Sequence, residues 1–160
     1  MTPNKSIEVQ RKLGADLILV LDECTPYPVE HQIAKDSMEL SMRWASRCRD
    51  SFLSEKNALF GIIQGGVYQD LREESLSCLI KSEFEGYAIG GLAVGETQEE
   101  MFNVLDKILK KFKFNLIQAP FNILDQRLVE KGWLKKLKKR KIEVHVRSIF
   151  LQGILLLKHN

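Results

Sequence analysis

The chain is 160 residues long, 44% hydrophobic and 28% charged, with a formal net charge of +3. That is about one domain of ordinary globular composition, and it excludes collagen-like, coiled-coil and wholly disordered chains. The charge is unevenly spread: residues 1–109 carry 11 Lys and Arg against 18 Asp and Glu, a net −7, whereas residues 110–160 carry 13 against 3, a net +10. Such a change of sign predicts two stretches of different character: residues 2–112, and a basic tail at 113–160 to which the pattern assigns no definite structure. Three cysteines, Cys24, Cys48 and Cys78, are an odd number without CxxC spacing. They argue against a disulfide framework and suit free thiols in a reducing cytoplasm. The longest apolar run, Ile149 to Leu157, is broken by Gln152 and Gly153 and falls short of the roughly 20 residues that cross a bilayer. The N-terminus has no apolar signal core, so a cytoplasmic protein with no membrane partner is expected.

In chain order, Thr2 followed by Pro3 predicts a helix start, and Gly14 after Leu13 predicts its stop. Leu17 to Leu21 is a short apolar run that fits a strand buried on both faces. Ala34, Met38, Met42, Ala45, Cys48 and Phe52 fall at helical spacing and paint one apolar stripe. Ala58 to Ile63 predicts a second buried strand, and Leu71, Ser75, Cys78 and Leu79 share one face of the helix after it. Tyr87-Ala88-Ile89 predicts a third strand. Thr97 and Glu100 have the spacing of a capping box, with Met101, Val104, Leu105, Ile108 and Phe112 continuing as a helical stripe. His31 is expected early in the second helix, and Cys48 and Cys78 in packed cores.

Strands alternating with helices imply parallel pairing. Both a doubly wound sheet and a (β/α)8 barrel contain such units, and in both the ligand sits at the carboxyl ends of the strands. Those ends here are Asp22-Glu23-Cys24, Gln64-Gly65-Gly66 and Gly90-Gly91-Leu92. A carboxylate, a side-chain amide and a glycine-opened backbone set side by side suit a flat heterocycle with both donors and acceptors, such as guanine. Asp22 would accept from the ring N–H and exocyclic amine, Gln64 would pair with an acceptor edge, and the Gly91 N–H would donate to the carbonyl.

Three segments sharpen this expectation. Asp22-Glu23-Cys24-Thr25-Pro26-Tyr27-Pro28, Phe60-Gly61-Ile62-Ile63-Gln64-Gly65-Gly66 and Gly86-Tyr87-Ala88-Ile89-Gly90-Gly91-Leu92-Ala93-Val94-Gly95-Glu96 together resemble the bacterial tRNA-guanine transglycosylases, or queuine tRNA-ribosyltransferases. The likeness runs from about Thr2 through Leu109 and includes Ser37-Met38-Glu39 and Arg43-Trp44-Ala45. It implies part of a (β/α)8 TIM-type barrel, about three βα units and incomplete. It also implies exchange of the wobble guanine of tRNA for a queuosine precursor base through a covalent enzyme–tRNA intermediate. Under the resemblance, Asp22, Gln64 and Gly91 read the base, the Leu92 carbonyl contacts a precursor's aminomethyl group with Glu96 as its tuning partner, and Cys24 and Gly90 line the pocket. tRNA and a guanine-like base are the implied partners.

The same resemblance implies parts for which the chain offers no matching motif. The upstream Asp-Ser-Gly-Gly-Phe-Gln segment with its acid/base Asp, the nucleophilic Asp before Pro-Thr-Arg, and the cysteine-rich zinc site have no counterpart. Asp125 in Leu124-Asp125-Gln126 does not match the nucleophile, and His145 and His159 alone make no four-ligand zinc set. No cofactor is therefore expected in this chain, and no catalysis by it alone, since glycosyl transfer by this route needs both a nucleophile and an acid/base. A nonfunctional truncated product and a noncatalytic RNA- or subunit-binding partner are the alternatives. Open βα units also predict self-association through unpaired edges. In the tail, Lys110, Lys111, Lys113, Lys131 and the run from Lys135 to Lys141 are basic enough to touch phosphates, but a solvated or unfolded run is the expected reading. Trp133, Leu134 and Leu137 are expected to make a short hydrophobic contact.

Overall fold

A computed structural model describes residues 1–54, 56–111, 115–151 and 153. Phe112, Lys113, Gln152, His159 and the run from Ile154 to Leu157, all named above, lie outside the described residues. The chain divides into two compact units, residues 1–110 and residues 111–160.

The first unit is a mixed α/β layer structure with parallel strands. Helix α1 (Pro3–Lys12) begins where Thr2 accepts the Lys5 N–H and Pro3 fills the first helical position, a place where its missing N–H costs nothing. Leu13 caps the far end, and Gly14 follows with φ +72°, the left-handed conformation that closes helices at low cost in glycine. Strand β1 (Leu17–Leu19) leads to α2 (His31–Ser51), then β2 (Ala58–Ile63), α3 (Gln69–Lys81), β3 (Gly86–Ile89) and α4 (Gln98–Lys111). The sheet order is β1-β2-β3, all parallel, with Leu17 opposite Ala58 and Phe60 opposite Gly86. The long helix buries Ala34, Ser37, Met38, Ser41, Ala45 and Cys48, a stripe at 3-to-4 spacing, and Ala34 and Met38 pack with Leu71 of α3 against Val29, Met42 and Tyr68. Thr97 and Glu100 cap α4 reciprocally: the Glu100 N–H donates to Thr97 Oγ1 at 3.2 Å and the Thr97 N–H to Glu100 Oε2 at 2.9 Å.

Three expectations need correction. Strand β1 is buried on one face only: Ile18 and Val20 are inside, whereas Leu17 is 60% and Leu19 42% exposed. Side chains alternate along a strand, so Leu17 and Leu19 share the face that is left open. Cys78 is exposed, because the buried face of α3 runs through Leu71, Arg72, Ser75, Leu76 and Leu79 and leaves Cys78 on its flank. The basic tail is also ordered where it is described. Its strand β4 (Leu116–Pro120) pairs in parallel with β5 (Glu143–Arg147), and between them lie α5 (Arg127–Glu130) and α6 (Trp133–Lys139). Trp133, Leu137 and Ile142 are buried, while Leu134 faces solvent and the α6 lysines form the wet side, with Lys136 Nζ 4.5 Å over the Trp133 ring. The amphipathic contact is thus internal to this unit.

Candidate functional site

The carboxyl ends of β1, β2 and β3 lie side by side, and small polar side chains on the helices behind them fix the loops. Pairing of β1 with β2 continues to Val20, whose N–H donates to the Phe60 carbonyl. The chain then turns toward α2, where Ser41 Oγ accepts the Glu23 N–H at 2.9 Å and Cys48 Sγ accepts the Leu21 N–H at 3.4 Å. Burial of Cys48 pushes its thiol pKa up, so it stays neutral in this role. At the end of β2, the Gln64 N–H donates to Ser75 Oγ of α3 at 3.0 Å. At the end of β3, the Gly90 N–H donates to the Ile63 carbonyl at 3.0 Å.

This brings Asp22, Gln64, Gly90 and Gly91 together. Gln64 is 3% exposed, and its Nε2 donates to Asp22 Oδ2 at 2.5 Å. Gly90 and Gly91 lie directly under that amide: a Cβ at Gly90 would come within 2.5 Å of Gln64 Nε2, and one at Gly91 within 2.6 Å of Gln64 Oε1. Gly91 also has φ +60°, so glycine is required here twice over, for space and for backbone conformation. Leu92 is half-buried beside them. Glu96 closes the following loop by accepting the Ala93 N–H at 2.5 Å and the Val94 N–H at 3.0 Å. Burial works to raise the Glu96 pKa, but the N–H groups of Ala93, Val94 and Gly95 outweigh it and hold the carboxylate below its usual range. Cys24 is exposed and follows Asp22 by two residues on the same loop.

One residue of this site carries no motif in the sequence. Arg72, on α3, is fully buried, and its guanidinium donates to four backbone carbonyls: Gly66 at 2.7 Å, Ile63 at 2.9 Å, Gly90 at 2.7 Å and Gly91 at 3.1 Å. Burial lowers its pKa to about 10, with Cys24 and then Glu96 near enough to offset part of that penalty. It is still charged at neutral pH.

The loop from Thr25 to Glu30 is held from both sides. Tyr27 Oη donates to Glu100 Oε1 at 2.9 Å, and Tyr68 Oη donates to the Val29 carbonyl at 2.7 Å. His31 opens α2 as expected and pairs with Asp70 at 2.7 Å. In the second unit, Asp125 is engaged by the Arg127 guanidinium at 2.5 and 2.7 Å, which holds its carboxyl below the usual range. Among the described residues no three His, Cys, Asp or Glu side chains converge as ligands for a metal ion. Among them, too, no helix is long and apolar enough to cross a membrane.

Chemically, the strand-end rim offers a carboxylate acceptor, a side-chain amide and glycine backbone donors within one small area. Comparison with known proteins gives this arrangement its context. The family model described as queuine tRNA-ribosyltransferase matches residues 1–118. The queuine tRNA-ribosyltransferase of Tolumonas auensis is 56% identical over 110 residues, 68% of this chain and 30% of that protein. The one from Hydrogenovibrio crunogenus is 56% identical over 106 residues, 66% of this chain and 29% of that protein. The chain therefore spans about 30% of the length of these curated relatives. The match takes in all three strands, the Asp22, Gln64 and Gly90-Gly91 ends and the buried Arg72, and the chain belongs to the queuine tRNA-ribosyltransferase family.

Proposed function

We propose that this chain carries the base-reading surface of a tRNA-guanine transglycosylase, and that its three βα units are consecutive units of a (β/α)8 barrel. The observation that carries the reading is the contact between Asp22 and Gln64 above the Gly90-Gly91 backbone. Asp22 keeps acceptor capacity beyond the bond it takes from Gln64, enough to receive the ring N–H and exocyclic amine of guanine. Opposite it, the Gly91 N–H donates to the base carbonyl. The Leu92 carbonyl, with Glu96 fixing its loop, would meet the aminomethyl group of a queuosine precursor, and Cys24 would line the pocket edge. The neighbour order β1-β2-β3 with parallel pairing supports the barrel reading, because barrel strands follow one another in sequence order.

The partners are then a guanine-like base and tRNA, in the cytoplasm, where free thiols remain reduced. Exchange breaks the glycosidic bond to guanine and forms one to the incoming base. Holding the ribose between those events needs a nucleophilic carboxylate, and moving the proton needs a second acid/base group. Asp22 is committed to the base, Glu96 to its own loop and Asp125 to Arg127, so we assign the chain base recognition without catalysis on its own.

Equilibrium dialysis of the purified chain with labelled guanine and labelled adenine tests this reading. Guanine should be retained and adenine should not, since adenine presents an acceptor where Asp22 requires a donor. Equal retention of the two, or retention of neither, would refute the base-reading assignment.

A further inference from the structure

We infer that Arg72 is a positioning residue that turns two successive backbone N–H groups, those of Gly91 and Leu92, toward the base, and so sets recognition of the base's carbonyl oxygen. The inference rests on the base-reading function proposed above. Its structural basis is the set of bonds at the end of β3: Arg72 Nη1 donates to the Gly90 carbonyl at 2.7 Å and Nη2 to the Gly91 carbonyl at 3.1 Å.

A trans peptide unit points its C=O and the following N–H in opposite directions. With the Gly90 carbonyl drawn onto Arg72, the Gly91 N–H faces away from the guanidinium; with the Gly91 carbonyl drawn there too, so does the Leu92 N–H. Among the described residues neither N–H is used in an internal hydrogen bond. Two adjacent N–H groups turned the same way make a concavity for an electron-rich oxygen. Gly91, which lies between the two peptide units, holds a φ of +60° while both carbonyls reach the one guanidinium.

The remaining donors of Arg72 bind the carbonyls of Ile63 and Gly66, which flank Gln64. One rigid fork thus locks the backbone on both sides of Gln64 and the two carbonyls at the end of β3. A lysine has three donors on one nitrogen and cannot span these sites. All the hydrogen-bond partners found for Arg72 are neutral carbonyls, so the group is placed for backbone geometry and not for pairing with an acid.

The test uses the full 160-residue chain, unmodified and as Arg72→Lys, with two readouts. The first is amide hydrogen exchange across residues 86–95, with residues 31–51 as the folding reference. Exchange at 86–95 should accelerate at least tenfold in Arg72→Lys while α2 is unchanged. The second is the ratio of dissociation constants for guanine and 6-thioguanine, which differ only in replacing the carbonyl oxygen by a weaker sulfur acceptor. The unmodified chain should prefer guanine several-fold, and Arg72→Lys should bring the ratio close to one. For Arg72→Ala, millimolar guanidinium should restore the preference if the variant folds.

Unchanged exchange at 86–95 would overturn the positioning role, and so would equal weakening of both ligands, which is what a merely structural arginine predicts. Failure of the unmodified chain to bind guanine would overturn the base-reading function and the role in base selection with it. In that case the exchange readout alone would still report whether the latch exists.

Discussion

Asp22, Gln64 and Arg72 differ in how openly the sequence announces them. Asp22 and Gln64 stand immediately after apolar strands, so their meeting at the ends of adjacent parallel strands was legible. Arg72 was not, because a charged residue on a helix ordinarily faces water. Its neighbours Leu71 and Ser75 mark the buried face, yet nothing in the pattern says that four carbonyls wait there. Cys78 misled in the opposite direction: its spacing from Ser75 suggests burial, while the packed face of α3 drifts toward Arg72 and Leu76. At this scale Gly91→Ala should weaken guanine binding by at least tenfold, because its Cβ would meet Gln64 Oε1 at 2.6 Å and the residue would keep a left-handed φ. Titration of the variant with labelled guanine checks this, and an unchanged dissociation constant would contradict the crowded geometry beneath Gln64.

Among the elements, α2 and the start of α4 were the most legible, since an apolar stripe and a capping box are local patterns that tertiary packing reinforced. Strand β1 was only half legible: five apolar residues in a row cannot reveal that a three-residue strand is covered on one face. Strands β4 and β5 were missed because Leu116–Pro120 and Glu143–Arg147 are short, polar-interrupted and separated by 22 residues of basic sequence. Their pairing is a non-local event. Two predictions belong here. Gly86 lies against the Phe60 ring, where a Cβ would run into several ring carbons, so Gly86→Ala should lower stability by about 1–3 kcal/mol, read from the urea midpoint of the first unit.

The second prediction concerns acid. Bonds from the Thr97 side chain, the Thr97 N–H and Tyr27 hold the Glu100 carboxyl below its usual range. A folded-state pKa depressed in this way contributes stability above the unfolded value, which is lost as pH falls through the carboxylate range. The α4 cap and the Tyr27 contact should therefore loosen only as pH falls through this lowered folded-state pKa, below the ordinary glutamate value of about 4.3. Glu100→Gln should abolish that titration when Tyr27 is followed by its ultraviolet absorbance. A Tyr27 signal flat across the acid range in the unmodified chain would contradict the bond.

For the whole molecule, the three-stranded parallel sheet has two outer edges among the described residues. That of β1 is partly blunted at Leu19, whose N–H and C=O are bonded by the Gln10 side-chain amide at 3.0 and 2.8 Å. Gln10 thus imitates a neighbouring strand for one residue. Together with the exposed Leu17 and Leu19, such edges favour pairing with another copy. Gln10→Ala should shift the chain toward larger species in sedimentation velocity, and an unaltered distribution would argue against edge-driven association. Under the proposed assignment of base recognition without catalysis, the chain alone should also incorporate no labelled guanine into tRNA and trap no covalent RNA adduct, because glycosyl transfer by this route needs a nucleophile and an acid/base group.

The most direct test of the account is the guanine affinity of the unmodified chain beside that of Asp22→Ala. The carboxylate supplies the acceptors for the ring N–H and amine, and charge-assisted bonds of that kind contribute about 1.5–3 kcal/mol. Removing it should raise the dissociation constant by at least about tenfold, with the far-ultraviolet circular dichroism of the folded chain unchanged. Equal guanine binding by the two folded proteins would contradict the assignment of this strand-end rim as the base-reading site.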